Sequence, residues 1–369
     1  MEIPNLGIIC ISLTIYTMTL QDLGYHDQLD PYIAANGLGD LLVGRVVTEH
    51  KERYVVKTPE AEYEAEILGN LRFTAQSRAD FPAVGDWVMF QAYDRTRGLI
   101  HAVLPRTSIL ERQSVSRKGE KQIIATNIDR ALIVQAADRD FSINRLERYL
   151  TICNASQITP VIVLNKTDLI PEAGVLTLLE EIRKRISGVD VYAVSNKTGS
   201  GMEALKQIFE RGKTYCLLGS SGVGKSSLLN TLMGEELMKS DDISEHSNRG
   251  RHVTTHRELR VLAGGGILID NPGMREIGIT DASGALEVTF DGIQELAANC
   301  RFRDCTHTSE QGCAVLAAVD NGDLSAASYD NFLKMQREKQ HFEATVAEKR
   351  KRDKEFGKMV KHIMKNKRK

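Results

Sequence analysis

Between residues 44 and 110 the chain alternates short apolar runs with polar or Gly/Pro breaks. Gly44-Arg45-Val46-Val47, Tyr54-Val55-Val56-Lys57, Ala65-Glu66-Ile67-Leu68 and Trp87-Val88-Met89-Phe90 are β-prone segments separated by turn-forming residues. Short strands so spaced predict a small antiparallel barrel, an OB-type barrel first and an SH3-like barrel second. Arg112–Gln122 is polar, contains Gly, and reads as a linker. Beyond it the pattern changes to near-continuous apolar runs at Ala131–Val134, Val161–Leu164, Val189–Val194, Tyr215–Leu218 and Ile267–Ile269. Strands buried on both faces of a parallel sheet have this texture. Helical spacing fills the intervals, as at Leu176, Leu179, Ile182 and Ile186, and again at Leu205, Ile208 and Phe209. The alternation predicts a doubly wound α/β domain. After Thr280 come a cysteine–histidine cluster and a charged helical tail. The predicted division is an N-terminal extension (1–40), a barrel (41–111), an α/β domain (122–280), a metal-binding module (281–333) and a basic helical tail (334–369).

Composition adds bounds rather than identity. At 369 residues, 42% hydrophobic and 26% charged, the chain is of ordinary globular character and long enough for two or three domains. The formal net charge of −1 hides an uneven distribution, because Lys and Arg dominate the tail from Lys334 onward. The apolar stretch Ile8–Leu20 has no basic residue before it and no small-residue cleavage site, and it is too short to span a bilayer. A soluble chain with no membrane association is expected, with its working part starting near Met18. Of the six cysteines, Cys10, Cys153 and Cys216 are scattered, and the last two sit in apolar segments as small hydrophobes.

The candidate chemistry begins at Gly219-Ser220-Ser221-Gly222-Val223-Gly224-Lys225-Ser226, which fits the phosphate-loop pattern G-x-x-x-x-G-K-[ST]. An apolar strand enters it and a helix beginning near Ser227 leaves it. Glycines there let backbone N–H groups turn toward phosphates, and the helix N-terminus adds partial positive charge. Lys225 is expected on the β- and γ-phosphates, and the Ser226 hydroxyl on Mg²⁺. Asn165-Lys166-Thr167-Asp168 follows another strand. A carboxylate at Asp168 accepts two hydrogen bonds from guanine N1–H and its exocyclic amine, donors that adenine does not offer as a pair. Ser195-Asn196-Lys197 resembles the SAK element, whose backbone N–H meets guanine O6. Asn271 and Pro272 separate Asp270 from Gly273, giving D-x-x-G, with Asp270 on Mg²⁺ through water and the Gly273 N–H facing the γ-phosphate. Thr254 or Thr255, upstream, is the switch threonine on Mg²⁺.

Met274 follows Gly273 where Ras-like enzymes carry a water-orienting glutamine. A thioether cannot orient water, so either turnover is slow or another group acts. His252, beside the switch threonines, is the candidate catalytic residue along with Lys225. The alternative is that His252 packs or contacts a partner.

Cys300, Cys305, His307 and Cys313 place three thiolates and an imidazole within fourteen residues. Such a set predicts a structural zinc site in a reducing compartment rather than a disulfide framework. Arg301, Arg303 and the tail surround it with positive charge. That suits phosphate-directed RNA binding, or else a solvated charged helix.

The order of these motifs is itself informative. The base-reading motif and the SAK-like element precede the phosphate loop, the reverse of ordinary small GTPases, so the domain reads as circularly permuted. This arrangement, with Val84-Gly85-Asp86-Trp87-Val88, the Gly250–Arg257 segment and the cysteine cluster, resembles the RsgA/YjeQ (YloQ) family of circularly permuted GTPases. The resemblance covers nearly the whole chain from Met18. Val253 and Asn271 stand where that family usually has threonine. The resemblance implies a fold of three parts: an N-terminal OB-type β-barrel, a circularly permuted α/β P-loop GTPase domain and a C-terminal zinc-binding helical module. It further implies a cytoplasmic, monomeric factor. Such a factor binds GTP and GDP with Mg²⁺, engages the small ribosomal subunit and its rRNA in late maturation, and hydrolyses GTP faster when bound. The competing reading is a GTP-regulated RNA-binding or signalling module in which hydrolysis is incidental.

Overall fold

The computed structural model describes residues 17–50, 53–75, 77–113, 121–138, 141–234, 257–270, 284–341, 348 and 351. Its N-terminal barrel comprises β1 (Leu42–His50), β2 (Arg53–Lys57), β3 (Glu62–Ile67), β4 (Trp87–Ala92) and β5 (Arg97–Val103). The strands run in the order β1-β2-β3-β5-β4, and β4 pairs back onto β1 to close the ring. Only β3 and β5 are parallel neighbours. This is a five-stranded OB barrel. Val46, Tyr54, Val56, Ala65, Ile67, Val88, Phe90 and Ile100 fill its interior. Next come β6 (Ile109–Gln113) and β7 (Lys121–Thr126), an antiparallel pair. Both ends of the stretch expected to be a linker therefore lie in a ladder. Cross-strand contact explains this, since the Arg112 Nε–H donates to Gln122 Oε1 at 3.2 Å and Leu110 is fully buried.

The α/β sheet contains β8 (Arg130–Ala136), β9 (Thr159–Asn165), β10 (Val191–Ala193), β11 (Thr214–Leu218), β12 (Glu258–Val261) and β13 (Ile267–Asp270). Its order is β10-β9-β8-β11-β13-β12, parallel except for β12. Period-2 side-chain alternation sends Ile133, Cys216 and Ile269 to one core and Val134, Leu217 and Leu268 to the other. Helices Ile143–Ala155 and Glu172–Arg185 supply the first core, and Met202–Lys206 and Lys225–Met233 the second. Cys153 and Cys216 are fully buried, and burial pushes both thiols up, Cys216 to about 12, as for small apolar side chains. Connections diverge between β8 and β11, which makes the carboxyl ends of these strands the natural ligand crevice.

Two joints hold the parts together. At the first, Thr48 of β1 pairs with Glu258 of β12, so barrel and α/β strands form one eleven-stranded sheet. Behind it the guanidinium of Arg45, 1% exposed, donates to the carbonyls of Leu23 (2.5 Å), Asn127 (3.1 Å) and Gly85 (3.2 Å) and lies over the Trp87 ring. One side chain thus ties the N-terminal segment, the barrel and the entry to β8. Burial pulls this guanidinium down to about 10, with Asp129 and Asp86 pulling it back, so it is charged at neutral pH. Leu23, Tyr25 and Leu29 pack with Trp87, Met89 and Leu104, which makes the segment after Met18 part of the fold. The first sixteen residues lie outside the described ones.

At the second joint, helices Ala285–Thr289, Asp291–Ala297 and Ala314–Asn321, with a helical stretch over 326–341, form a small core around Phe290, Val315, Phe332 and Met335. This module docks on the polar face of helix Ile143–Ala155. Glu147, 2% exposed, accepts hydrogen bonds from Asn331 (2.6 Å), Ser328 (3.2 Å) and Arg185 (2.6 Å). Burial pushes its carboxyl up, and these partners pull it back. Thr151 and Asn154 reach Thr289 at 3.1 and 3.0 Å, and Arg148 pairs with Glu338 at 2.7 Å. Among the described residues no helix is long and apolar enough to cross a membrane.

Arg45→Met would fill similar space but leave the carbonyls of Leu23 and Asn127 without their guanidinium donor, and that of Gly85 with only the Asn127 amide. Denaturant unfolding should show a loss of about 3 kcal/mol or more. A loss below about 1 kcal/mol would contradict the role assigned to Arg45.

Candidate functional site

The phosphate loop leaves the carboxyl end of β11 and runs into the helix starting at Lys225. Its glycines are demanded by space as well as by backbone angle. Gly219 has φ 146°, and a Cβ there would stand 2.3 Å from the Val134 carbonyl oxygen on β8. Gly224 has φ 95°, and its Cβ would stand 2.4 Å from Asn165 Nδ2. The loop is therefore pressed against the two neighbouring strand ends. Lys225 folds over its own loop and donates to the carbonyls of Gly219 (2.7 Å) and Ser220 (2.6 Å). Ser221 and Gly222 are exposed at the turn, Val223 is buried beneath it, and Ser226 and Ser227 are exposed on the first helical turn.

Asn165 and Lys166 meet this loop directly. Asn165, 1% exposed at the end of β9, donates from Nδ2 to the Val223 carbonyl at 2.9 Å. Lys166 adopts the left-handed conformation (φ 60°), and its Nζ donates to the Gly222 carbonyl at 2.6 Å. Thr167 turns back to Val194 through N–H and Oγ1. The hydroxyl of buried Ser195 donates to Asp168 Oδ1 at 2.6 Å and accepts from the Thr198 N–H at 3.2 Å, fixing the carboxylate from one side. Asn196 keeps its side-chain amide buried and without a partner among the described residues; Lys197 beside it is exposed. Residues scattered over sixty positions of sequence thus converge on one crevice.

A cleft of about 500 Å³ opens there, lined by Ala136, Asp138, Arg145, Lys166 and Ser220–Val223. Asp138 and Arg145 belong to no recognisable motif; they reach the cleft because β8 and the following helix border the loop. Tyr149, one turn on, forms a hydrogen bond with Ser220 while burial pushes its hydroxyl up. Asp270 closes β13 on the other flank of β11. Burial pushes its carboxyl up, Arg260 pulls it down, and Glu258 adds to the rise. His252, Thr254, Thr255, Gly273 and Met274 lie outside the described residues.

The second cluster is in the C-terminal module. One ligand atom from each of Cys300, Cys305, His307 and Cys313 lies within 4.8 Å of all the others, so the four could hold a metal ion. His307 is buried in a left-handed conformation (φ 60°) that turns Nδ1 to 3.6 Å from Cys300 Sγ and 3.5 Å from Cys313 Sγ. Its carbonyl accepts from the Tyr329 hydroxyl at 2.6 Å. Backbone N–H groups of Ala314 and Leu316 point at Cys300 Sγ and Cys313 Sγ, both at 3.4 Å, as expected where thiolate charge is to be stabilised.

Comparisons with known proteins agree with this geometry. A family described as RsgA GTPase matches residues 103–280. A second, described as ABC transporter, matches residues 202–360, a stretch that includes the phosphate loop. The chain is 38% identical over 345 residues to small ribosomal subunit biogenesis GTPase RsgA 1 of Bacteroides thetaiotaomicron, covering 93% of this chain and 96% of that protein. It is 44% identical over 296 residues to a protein of the same name from Listeria innocua, covering 80% and 83%. Among solved structures, YjeQ from Thermotoga maritima superposes with a TM-score of 0.60 at 28% identity, covering 81% of this chain and 98% of that one. YloQ, titled a circularly permuted GTPase, also gives 0.60 at 28%, covering 82% and 96%.

Gly224→Ala tests the contact between loop and base motif. The added methyl needs a strained φ and pushes Asn165 off Val223. Guanine-nucleotide affinity, titrated with a fluorescent GDP, should fall at least about tenfold while far-ultraviolet dichroism is retained. Unchanged affinity would mean that the loop does not depend on this contact.

Proposed function

The chain belongs to the RsgA GTPase family, and from that premise we propose that it hydrolyses GTP on the small ribosomal subunit during late subunit maturation. The observation that carries the reading is the direct seating of Asn165 and Lys166 on the phosphate loop, which joins a guanine-selective element to a phosphate-binding one. Asp168, held by Ser195, accepts from guanine N1–H and the exocyclic amine. The backbone at Ser195-Asn196-Lys197 donates to guanine O6. The amides of Gly219–Ser227 surround the α- and β-phosphates, and Lys225 leaves its loop carbonyls for the β- and γ-phosphate oxygens. Ser226, Asp270 and one of Thr254 and Thr255 would hold Mg²⁺, which neutralises charge on the phosphates when bound. The Gly273 N–H senses the γ-phosphate. His252 orients the hydrolytic water in place of the glutamine that Met274 cannot replace.

The cysteine cluster holds a single structural Zn²⁺ in this reading. Tetrahedral zinc with three thiolates and an imidazole requires S···S separations of about 3.8 Å and S···N separations of about 3.6 Å, from bonds of about 2.3 and 2.1 Å. Cys300 and Cys313 Sγ lie 3.8 Å apart, and His307 Nδ1 lies 3.6 and 3.5 Å from them. With all four ligands from protein, zinc orders the module rather than taking part in hydrolysis. The barrel, this module and the basic tail bind rRNA, and the protein acts as a cytoplasmic monomer.

Turnover measured with and without purified small subunits is the decisive test, alongside co-sedimentation in GTP, GDP and a non-hydrolysable analogue. Stimulation with nucleotide-dependent binding is expected. Equal turnover and equal binding in all three states would return the protein to a GTP-regulated binding module. His252→Ala should lower subunit-stimulated turnover about a hundredfold with little change in GTP affinity; unchanged turnover removes His252 from the reaction. Chelation should strip zinc and abolish the cooperative unfolding of the C-terminal module while GTP binding persists. A folded, metal-free module would refute the zinc site.

A further inference from the structure

The loop between the first two metal ligands carries Arg301-Phe302-Arg303 at full display. Phe302 is 46% exposed, although the module's own core, built on Phe290, Val315 and Phe332, lies close by in sequence and fold. Leaving that much aromatic surface in water forgoes stabilisation that burial would bring. The ring is nevertheless held in place. The Arg301 guanidinium lies 5.5 Å above its centroid, a cation–π arrangement. The Arg301 stem in turn runs across Gly312, where even a Cβ would come within 3.1 Å of Arg301 Cβ, and the Arg301 N–H donates to the Gly312 carbonyl at 3.1 Å. Among the described residues neither Arg301 nor Arg303 enters an ion pair, and Asp304 is the single acid in the exposed quartet. The result is a half-exposed aromatic ring on the loop between Cys300 and Cys305, with the Arg301 guanidinium over it and a second exposed arginine, Arg303, next in sequence.

We propose that Phe302 is a stacking platform for one unpaired base of ribosomal RNA, with Arg301 and Arg303 directed at the adjoining phosphates. The reasons are chemical. An unpaired base offers a π-face matching the ring, and its backbone offers the negative charge that the arginines lack within the module. An exposed aromatic between two arginines in sequence suits this ligand better than an apolar protein groove, which would leave both guanidinium groups desolvated. The proposal rests on the ribosomal reading above and adds a particular residue and a particular mode of contact to it.

The test uses full-length, zinc-loaded protein and purified small subunits with a non-hydrolysable GTP analogue, measuring affinity at several salt concentrations. Phe302→Ala should weaken binding roughly tenfold to a hundredfold without changing the slope of log affinity against log salt. Phe302→Trp should retain affinity, whereas Phe302→Leu, similar in size and apolar but lacking a π-face, should lose it. Arg303→Gln should reduce the salt slope by about one unit. Zinc content and basal GTP turnover, unchanged in every variant, show that the fold survives. Leu binding as well as Phe would overturn stacking and indicate a protein contact. Phe302→Ala binding like wild type would overturn the platform. Wild-type protein that fails to bind subunits would instead defeat the ribosomal reading on which the platform rests.

Discussion

The nucleotide site depends on a hydrogen bond between two strand ends that the chain visits far apart. Asn165 closes β9, Val223 lies in the loop after β11, and a 2.9 Å bond joins them beneath the turn. The Asn165 amide can donate only because Gly224 has no side chain to displace it. Lys166 adds a second contact from a backbone conformation that few residues adopt. In this permuted domain the clamp holds the turn that carries Asp168 against the phosphate loop. On the β8 side the loop passes so close to the Val134 carbonyl that Gly219 has no room for a Cβ.

The same logic governs how the other parts are attached. Strand β12 is paired at Thr48 to the barrel, so the barrel is continuous with the sheet that carries the phosphate loop. The C-terminal module follows the Asp270–Gly273 motif in sequence, and motion of that region with the γ-phosphate is the simple expectation. Its main attachment, however, is to the helix after β8, through Glu147, Arg148, Thr151 and Asn154. That helix also carries Arg145 to the cleft and Tyr149 to Ser220. One helix therefore faces the phosphate loop near its start and the metal module along its side.

Much of this was legible in sequence, and for identifiable reasons. The parallel strands are buried on both faces and read as unbroken apolar runs. The phosphate loop and Asn165–Asp168 are local sequence patterns, and the three cysteines and one histidine that could hold a metal fall within one short segment. What escaped depends on distant partners or on weak local signal. β5 places Gly98 in its inward row, which dilutes the alternation, and β12 is four residues long with Glu258 and Arg260 in it. β6 and β7 each have a polar half, Glu111–Gln113 and Lys121–Gln122, and are held by each other. Glu147 looks in sequence like any acid on a helix; its buried role is set by Ser328 and Asn331, some 180 residues away. Arg45 looks like an outward residue of a strand, but the carbonyls it serves belong to three separate segments.

The strand order also has a consequence for biosynthesis. β8, β9 and β10 emerge from the translating ribosome before β11, yet β11 sits between β8 and β13 in the finished sheet. A nascent chain therefore displays the half-sheet that carries Asn165–Asp168 with the β8 edge open until residues 214–218 arrive. It has no phosphate-binding loop until Ser226 follows. The nucleotide pocket is completed when β11 adds to the free edge of β8, so guanine nucleotide can reward only a chain whose barrel and first half-sheet are already made.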